Sequence, residues 1–173
     1  SIVNADAGIE IKRVPIDKWY HNIEFSSDGT KIIADGDILQ VFSTPTLSTM
    51  VRITYPSDGS KVERKVTVRG TSQNIPEGQV IWVVIYVHEA RRYFPQDLPA
   101  DVQVNGDWVS PVIIGIDEDV GKEFDIIVVL VDQKAQDAFN DYLKDWGGKY
   151  PSPGLERLPE GALIYQRITV TRI

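Results

Sequence analysis

One stretch limits the folds open to this chain more than any other: residues 124–131, FDIIVVLV. Laid out as a strand, it places Phe124, Ile126, Val128 and Leu130 on one face and Ile127, Val129 and Val131 on the other. A strand that is apolar on both faces has to be covered on both sides. Directly after it, Ala135, Ala138, Phe139, Tyr142, Leu143 and Trp146 recur at helical spacing and form one apolar stripe. The pattern predicts a helix over residues 133–146 that lies on one outer face of the sheet containing that strand. Asp132 stands where an N-cap belongs, and Gly147-Gly148 stands where a helix stops. A second doubly apolar strand, residues 80–88, is the natural neighbour of residues 124–132 at the centre of the same sheet.

The remaining strands are short. Residues 51–56 lead into a Pro-Ser-Asp-Gly turn, and residues 64–70 alternate polar with apolar as a half-exposed strand does. Residues 92–94 return after a tight turn at Glu89-Ala90, and residues 95–107 read as loop or edge. The strand at residues 108–114 contains Pro111 and so belongs near an edge. Residues 163–173 form the last strand. Upstream, residues 9–14, 20–25, 31–34 and 38–42 are four strand candidates, with Asp28-Gly29 and Asp35-Gly36-Asp37 at tight reversals. The hydroxyl-rich segment 43–49 reads as a linker, and Trp19 and Tyr20 are expected to join the first unit to its neighbour.

Two resemblances follow from these residues. Phe25-Ser-Ser-Asp-Gly29-Thr-Lys-Ile-Ile-Ala34 with Ile38-Leu-Gln-Val-Phe42 resembles one blade of a propeller of the WD40 or YVTN type. The series Ile53, Pro56-Ser-Asp-Gly59, Val66-Thr-Val68-Arg-Gly70-Thr71, followed by Asn105-Gly-Asp-Trp-Val109, resembles immunoglobulin-like modules of prokaryotic surface proteins. The expected fold is therefore mostly β: a small blade-like antiparallel sheet at residues 1–44, then an immunoglobulin-like β-sandwich at 51–173 with one packed α-helix. The second resemblance implies an interaction module exposed at a cell surface. The chain opens on Ser1 rather than methionine, which fits a piece of a longer protein.

Composition narrows function mostly by exclusion. A net charge of −7 repels phosphate backbones, and the basic residues are interrupted by acids along the sequence, so no nucleic-acid partner is expected. The apolar runs fall short of the roughly 20 residues that span a bilayer, so no membrane insertion is expected. Cysteine is absent, which removes disulfides and thiolate chemistry. Histidine occurs twice, at His21 and His88. His88-Glu-Ala-Arg-Arg has arginine where a zinc-protease motif needs its second histidine, and serine-hydrolase and phosphate-loop signatures are missing.

Two surface candidates remain. The turn carrying His88, Arg91, Arg92 and Tyr93 gathers an imidazole, two guanidinium groups and a ring at the end of a central strand, suited to a protein or glycan partner. Asp117, Asp119 and Asp125 are an oxygen-rich series that calcium could use, although their spacing does not match a calcium loop. No other cofactor is expected. Trp82, Tyr86 and Trp146 are expected to meet under the helix, and Trp108 to lie in the core. The functional expectation is a non-catalytic accessory or interaction module of a larger protein. A carbohydrate-binding module and a regulatory module of an intracellular signalling protein are the alternatives, and exposed rather than buried Trp82, Tyr86 or Trp146 would favour the former.

Overall fold

Among the described residues, five strands belong to the first unit of the chain and nine to the second. The structure, a computed structural model, describes residues 48–146, 149 and 151–173 in full and, within 1–47, the backbone of the five strands. The two compact units are Ser1–Leu47 and Ser48–Ile173. In the first, β1 (Ile2–Asn4) pairs antiparallel with β2 (Ile9–Lys12), while β3 (Tyr20–Phe25), β4 (Lys31–Gly36) and β5 (Gln40–Ser43) form a three-stranded antiparallel sheet. The four expected strands thus fall into two sheets instead of one four-stranded blade. Ile9–Lys12 pairs with Ile2–Asn4, a strand of three residues and too short to show a period of two. The expectations for Trp19, the Tyr20 side chain, linker residues 44–47 and the Gly147-Gly148 stop lie outside the described residues.

The second unit runs β6 (Met50–Tyr55), β7 (Lys61–Val62), β8 (Lys65–Gln73), β9 (Val80–Val87), β10 (Arg92–Pro95), β11 (Asp101–Val102), β12 (Asp107–Ile113), a 3-10 turn at Asp117–Asp119, β13 (Glu123–Val131), α1 (Gln133–Trp146) and β14 (Ala162–Arg172). They build a five-stranded sheet, β10-β9-β13-β14-β7, and a four-stranded sheet, β11-β12-β8-β6. Every pairing is antiparallel except that of β7 with β14. As their composition requires, β9 and β13 sit side by side in the five-stranded sheet, and Pro111 lies on a stretch of β12 that the two-residue β11 leaves uncovered.

The two sheets share one hydrophobic core. Phe124, Ile126, Val128 and Leu130 from β13 and Ile81, Val83 and Ile85 from β9 meet Val51, Val68, Trp108 and Val112 of the other sheet. Gly70 on β8 makes room for the Trp108 indole, because a Cβ there would overlap both that ring and the Arg52 carbonyl oxygen. The opposite set, Ile127, Val129 and Val131 with Trp82 and Val84, packs under α1 against Ala135 and Phe139. Phe139 meets Trp82 edge-on at 5.3 Å between ring centres. Asp132 caps the helix as expected, its Oδ1 accepting the Ala135 N–H at 2.9 Å.

Part of the apolar stripe is not buried. Ala138 is exposed, and Trp146, about 10 Å along the axis from Phe139, is 40% exposed. Tyr86 is only half-buried and lies on the β9 face that α1 shares, so Trp82 alone of the three expected rings is fully buried beneath the helix. Beyond the helix, the chain returns along the free edge of β10, where Tyr93 and Leu155 exchange two backbone hydrogen bonds of 2.9 and 2.8 Å. Among the described residues no helix is long and apolar enough to cross a membrane.

Candidate functional site

Alternation puts Asp125 on the helix-side face of β13, with Ile127 and Val129. Its side chain is 3% exposed, and a charge in that position needs partners. It has three. Oδ1 accepts from Thr169 Oγ1 at 2.9 Å and lies 2.9 Å from His88 Nε2, and Oδ2 is 3.2 Å from Arg167 Nη1. The sheet supplies this arrangement through register: Tyr86 of β9 and Thr169 of β14 are the direct cross-strand neighbours of Asp125, and Arg167 is one pleat further along β14.

Aromatic rings complete the cluster. Tyr86 lies 4.8 Å from Tyr93 and 5.5 Å from the His88 ring, and the Arg167 guanidinium sits 5.4 Å from the Tyr86 ring centre. A carboxylate only accepts, so the Asp125 contact places an N–H on His88 Nε2 and directs Nδ1 away from the carboxylate. The His88 side chain is 46% exposed and that of Arg167 42%. The result is a polar-aromatic patch on rigid strands, held in place from beneath by one buried carboxylate. An imidazole oriented by a carboxylate is also one half of a hydrolytic base. Among the described residues, however, no hydroxyl hydrogen-bonds to Nδ1.

The predicted turn is split by the pleat. His88 and Tyr93 join the patch, whereas Arg92 is on the other side of β10 and reaches Glu156 Oε1 at 3.1 Å through Nη2. Arg91, in the left-handed region with φ of 52°, is exposed at the turn. The three calcium candidates do not converge either. Asp117 pairs with Arg64 at 2.9 Å, and Asp119 accepts from the Ile116 N–H at 2.9 Å and pairs with Lys122 at 2.9 Å. Asp125 belongs to the patch just described. Among the described residues no group of three or more His, Asp or Glu is arranged to hold a metal ion. Burial pushes the Asp119 carboxyl upward, but the Ile116 N–H and the Lys122 ammonium outweigh it and hold the group below its ordinary value. Lys122 also reaches Glu89 at 2.8 Å, tying the β9–β10 turn to the loop before β13. The hydrogen bonds it donates to Glu89 and Asp119 raise its pKa.

Periodicity did not single out Arg167 or Thr169, and it assigned Tyr86 to the core. The one available signal was Asp125 itself, a lone charge between Phe124 and Ile126 in an otherwise apolar strand.

No family model matches the chain, and no curated protein matches it. Among solved structures it is similar to the endo-beta-1,4-mannanase from Thermotoga petrophila, with 11% sequence identity and a TM-score of 0.41. The match covers 73% of this chain and 20% of that enzyme's, so this chain accounts for only a small part of the enzyme's length.

Proposed function

We propose that residues 48–173 are a non-catalytic recognition module of a larger protein and dock a protein partner on the outer face of the five-stranded sheet, beside α1. The observation that carries this reading is the Asp125 cluster. One buried carboxylate fixes His88, Thr169 and Arg167, and with them the half-exposed Tyr86 and Tyr93, across the four adjacent strands β10, β9, β13 and β14. Tyrosine, histidine and arginine held rigid on strands are what a docking surface needs, because little side-chain entropy is left to lose on binding. The order β11-β12-β8-β6 facing β10-β9-β13-β14-β7 supports an immunoglobulin-like layout, with the edge strand of one sheet continuing into β7 at the edge of the other. Display at a cell surface is part of the proposal and rests on the resemblance of the 51–71 and 105–109 segments to surface modules.

A photo-crosslinking residue in place of Tyr93, in the intact parent protein in its own cells, tests the reading. A single cross-linked partner that disappears with Arg167→Ala or His88→Ala is the expected result. Cross-linking that ignores both substitutions sinks it. A second reading has its own observation: Trp146 is 40% exposed at the end of α1 and could stack on a sugar ring. Quenching of Trp146 fluorescence by a soluble glycan, abolished by Trp146→Ala, would favour that reading over the protein partner.

A further inference from the structure

The outer face of the four-stranded sheet carries a second feature, on the far side of the core from the Asp125 cluster. Along β8, Val68 and Gly70 are buried while Lys65, Thr67 and Arg69 point outward. On β6 the same alternation turns Arg52 outward between buried Val51 and Ile53. Register sets Arg69 opposite Tyr55 and Lys65 opposite Ile113, with Pro111 opposite Thr67. Tyr55 is 52% exposed and Ile113 48%. Tyr55, Lys65, Thr67 and Arg69 line a shallow depression of about 500 Å³.

In a chain of net charge −7, this gathers three cations that no carboxylate pairs with among the described residues. Two carboxylates share the face two strands across from the arginines, Asp107 on β12 in the row of Thr71 and Arg52, and Asp101 on β11 in the row of Val109 and Arg69. There Gln103 Nε2 donates to Asp101 and Asn105 Nδ2 donates to Asp107. The cations are invisible as a cluster in the sequence, where they are spread from residue 52 to 69 with Glu63 among them.

We propose that this face binds an acidic segment of a partner protein in extended conformation, with apolar residues between its carboxylates. Charge complementarity fixes the sign of the occupant. Spacing fixes its class. Lys65 and Arg69 are four strand residues apart, about 13 Å, which matches two carboxylates four residues apart on an extended segment. A nucleic-acid strand carries one charge about every 3.4 Å, far denser than three cations can answer, and it would leave Tyr55, Pro111 and Ile113 without apolar partners. An acidic segment with interleaved valine or phenylalanine covers both columns of the face.

The test uses the full chain and a fluorescent peptide of aspartates at every fourth position with valines between them, followed by anisotropy. Binding is expected to weaken at least about tenfold from about 50 to about 500 mM NaCl. It should weaken by a similar factor in the Arg52→Glu, Lys65→Glu, Arg69→Glu triple variant, with an intermediate loss in the corresponding triple Gln variant. Thermal melts confirm that these exposed substitutions leave the fold in place. Tyr93→Ala should leave peptide binding unchanged, so failure here and failure of the Asp125 patch read out separately. Three outcomes overturn the proposal: peptide binding equal in wild type and the charge-reversed variant, a single-stranded DNA oligomer bound as tightly as the peptide, or sedimentation showing self-association of the chain that the charge reversal abolishes, which would make a second copy the occupant.

Discussion

Replacing Asp125 by alanine probes the buried carboxylate, and the structure sets the size of the effect. Three partners lose their acceptor: Thr169 Oγ1 at 2.9 Å, His88 Nε2 at 2.9 Å and Arg167 Nη1 at 3.2 Å. Bonds to a charged group are each worth about 1.5–3 kcal/mol when fully buried. The His88 and Arg167 side chains are more than a third exposed, so water recovers most of their share, and those two contacts are discounted to about 0.5 kcal/mol each. With the half-buried Thr169 hydroxyl contributing about 1–2 kcal/mol, the net cost is about 2–3 kcal/mol. At about 3–5 °C per kcal/mol for a unit of this size, Tm falls by about 10 °C. The assay is thermal unfolding of the full chain, followed through the buried Trp82 and Trp108. The reasoning also predicts an asymmetry. Arg167→Ala removes the exposed end of its pair and costs about 0.5 kcal/mol, while Asp125→Ala removes the end all three share. A Tm drop under about 2 °C for Asp125→Ala, or equal costs for the two substitutions, would refute the account of Asp125 as the group that orders the patch.

Asp119 gives the acid limb. Its pKa is lowered in the fold, so the stability it adds is present above its unfolded value and is lost as pH falls through the folded one. Asp119→Asn should therefore flatten the wild type's loss of Tm below about pH 4, and parallel acid limbs would show that the Ile116 and Lys122 contacts contribute nothing. Gly70→Ala drives a methyl into the Trp108 ring and the Arg52 carbonyl, and a cost of at least about 2–3 kcal/mol in denaturant melts is expected, with a shifted Trp108 emission. Phe139→Ala empties the layer under α1 and should cost about 3–4 kcal/mol, with helix amide exchange rising more than that of β9 and β13. Equal exchange rises in all three would argue against α1 as a separately seated layer.

Much of the second unit was legible because burial leaves a periodic mark. The doubly apolar runs placed β9 and β13 together in the five-stranded sheet, and the stripe after Asp132 gave α1 its limits and its face. What periodicity could not show was where polar side chains meet. His88, Asp125, Arg167 and Thr169 come from three strands separated by dozens of residues, and only register brings them within hydrogen-bonding distance. The turn at His88 to Tyr93 read as one tip in sequence, yet the pleat sends Arg92 and Tyr93 to opposite sides of β10. Likewise, acidic residues close in sequence between 117 and 125 find separate partners, Asp117 in Arg64, Asp119 in Lys122 and Asp125 in His88, Thr169 and Arg167, so their carboxylates do not converge. The Ile2–Asn4 strand was missed because three residues carry no period.

The return path after α1 has a consequence for behaviour at high concentration. Edge strands with free backbone groups recruit other edges, and proteins usually blunt them with charge or proline. Here the segment from residue 151 to 161 does that work for β10, through the Tyr93–Leu155 pair, while the helix ahead of it shields the apolar outer face. Excursion and shield are therefore one insurance policy: a shortened chain joining β13 directly to β14 would bare a strand edge and an oily sheet at the same moment. Such a deletion should turn a dispersed protein into one that stacks edge to edge, visible as light scattering that grows with concentration and as dye binding typical of cross-β assemblies.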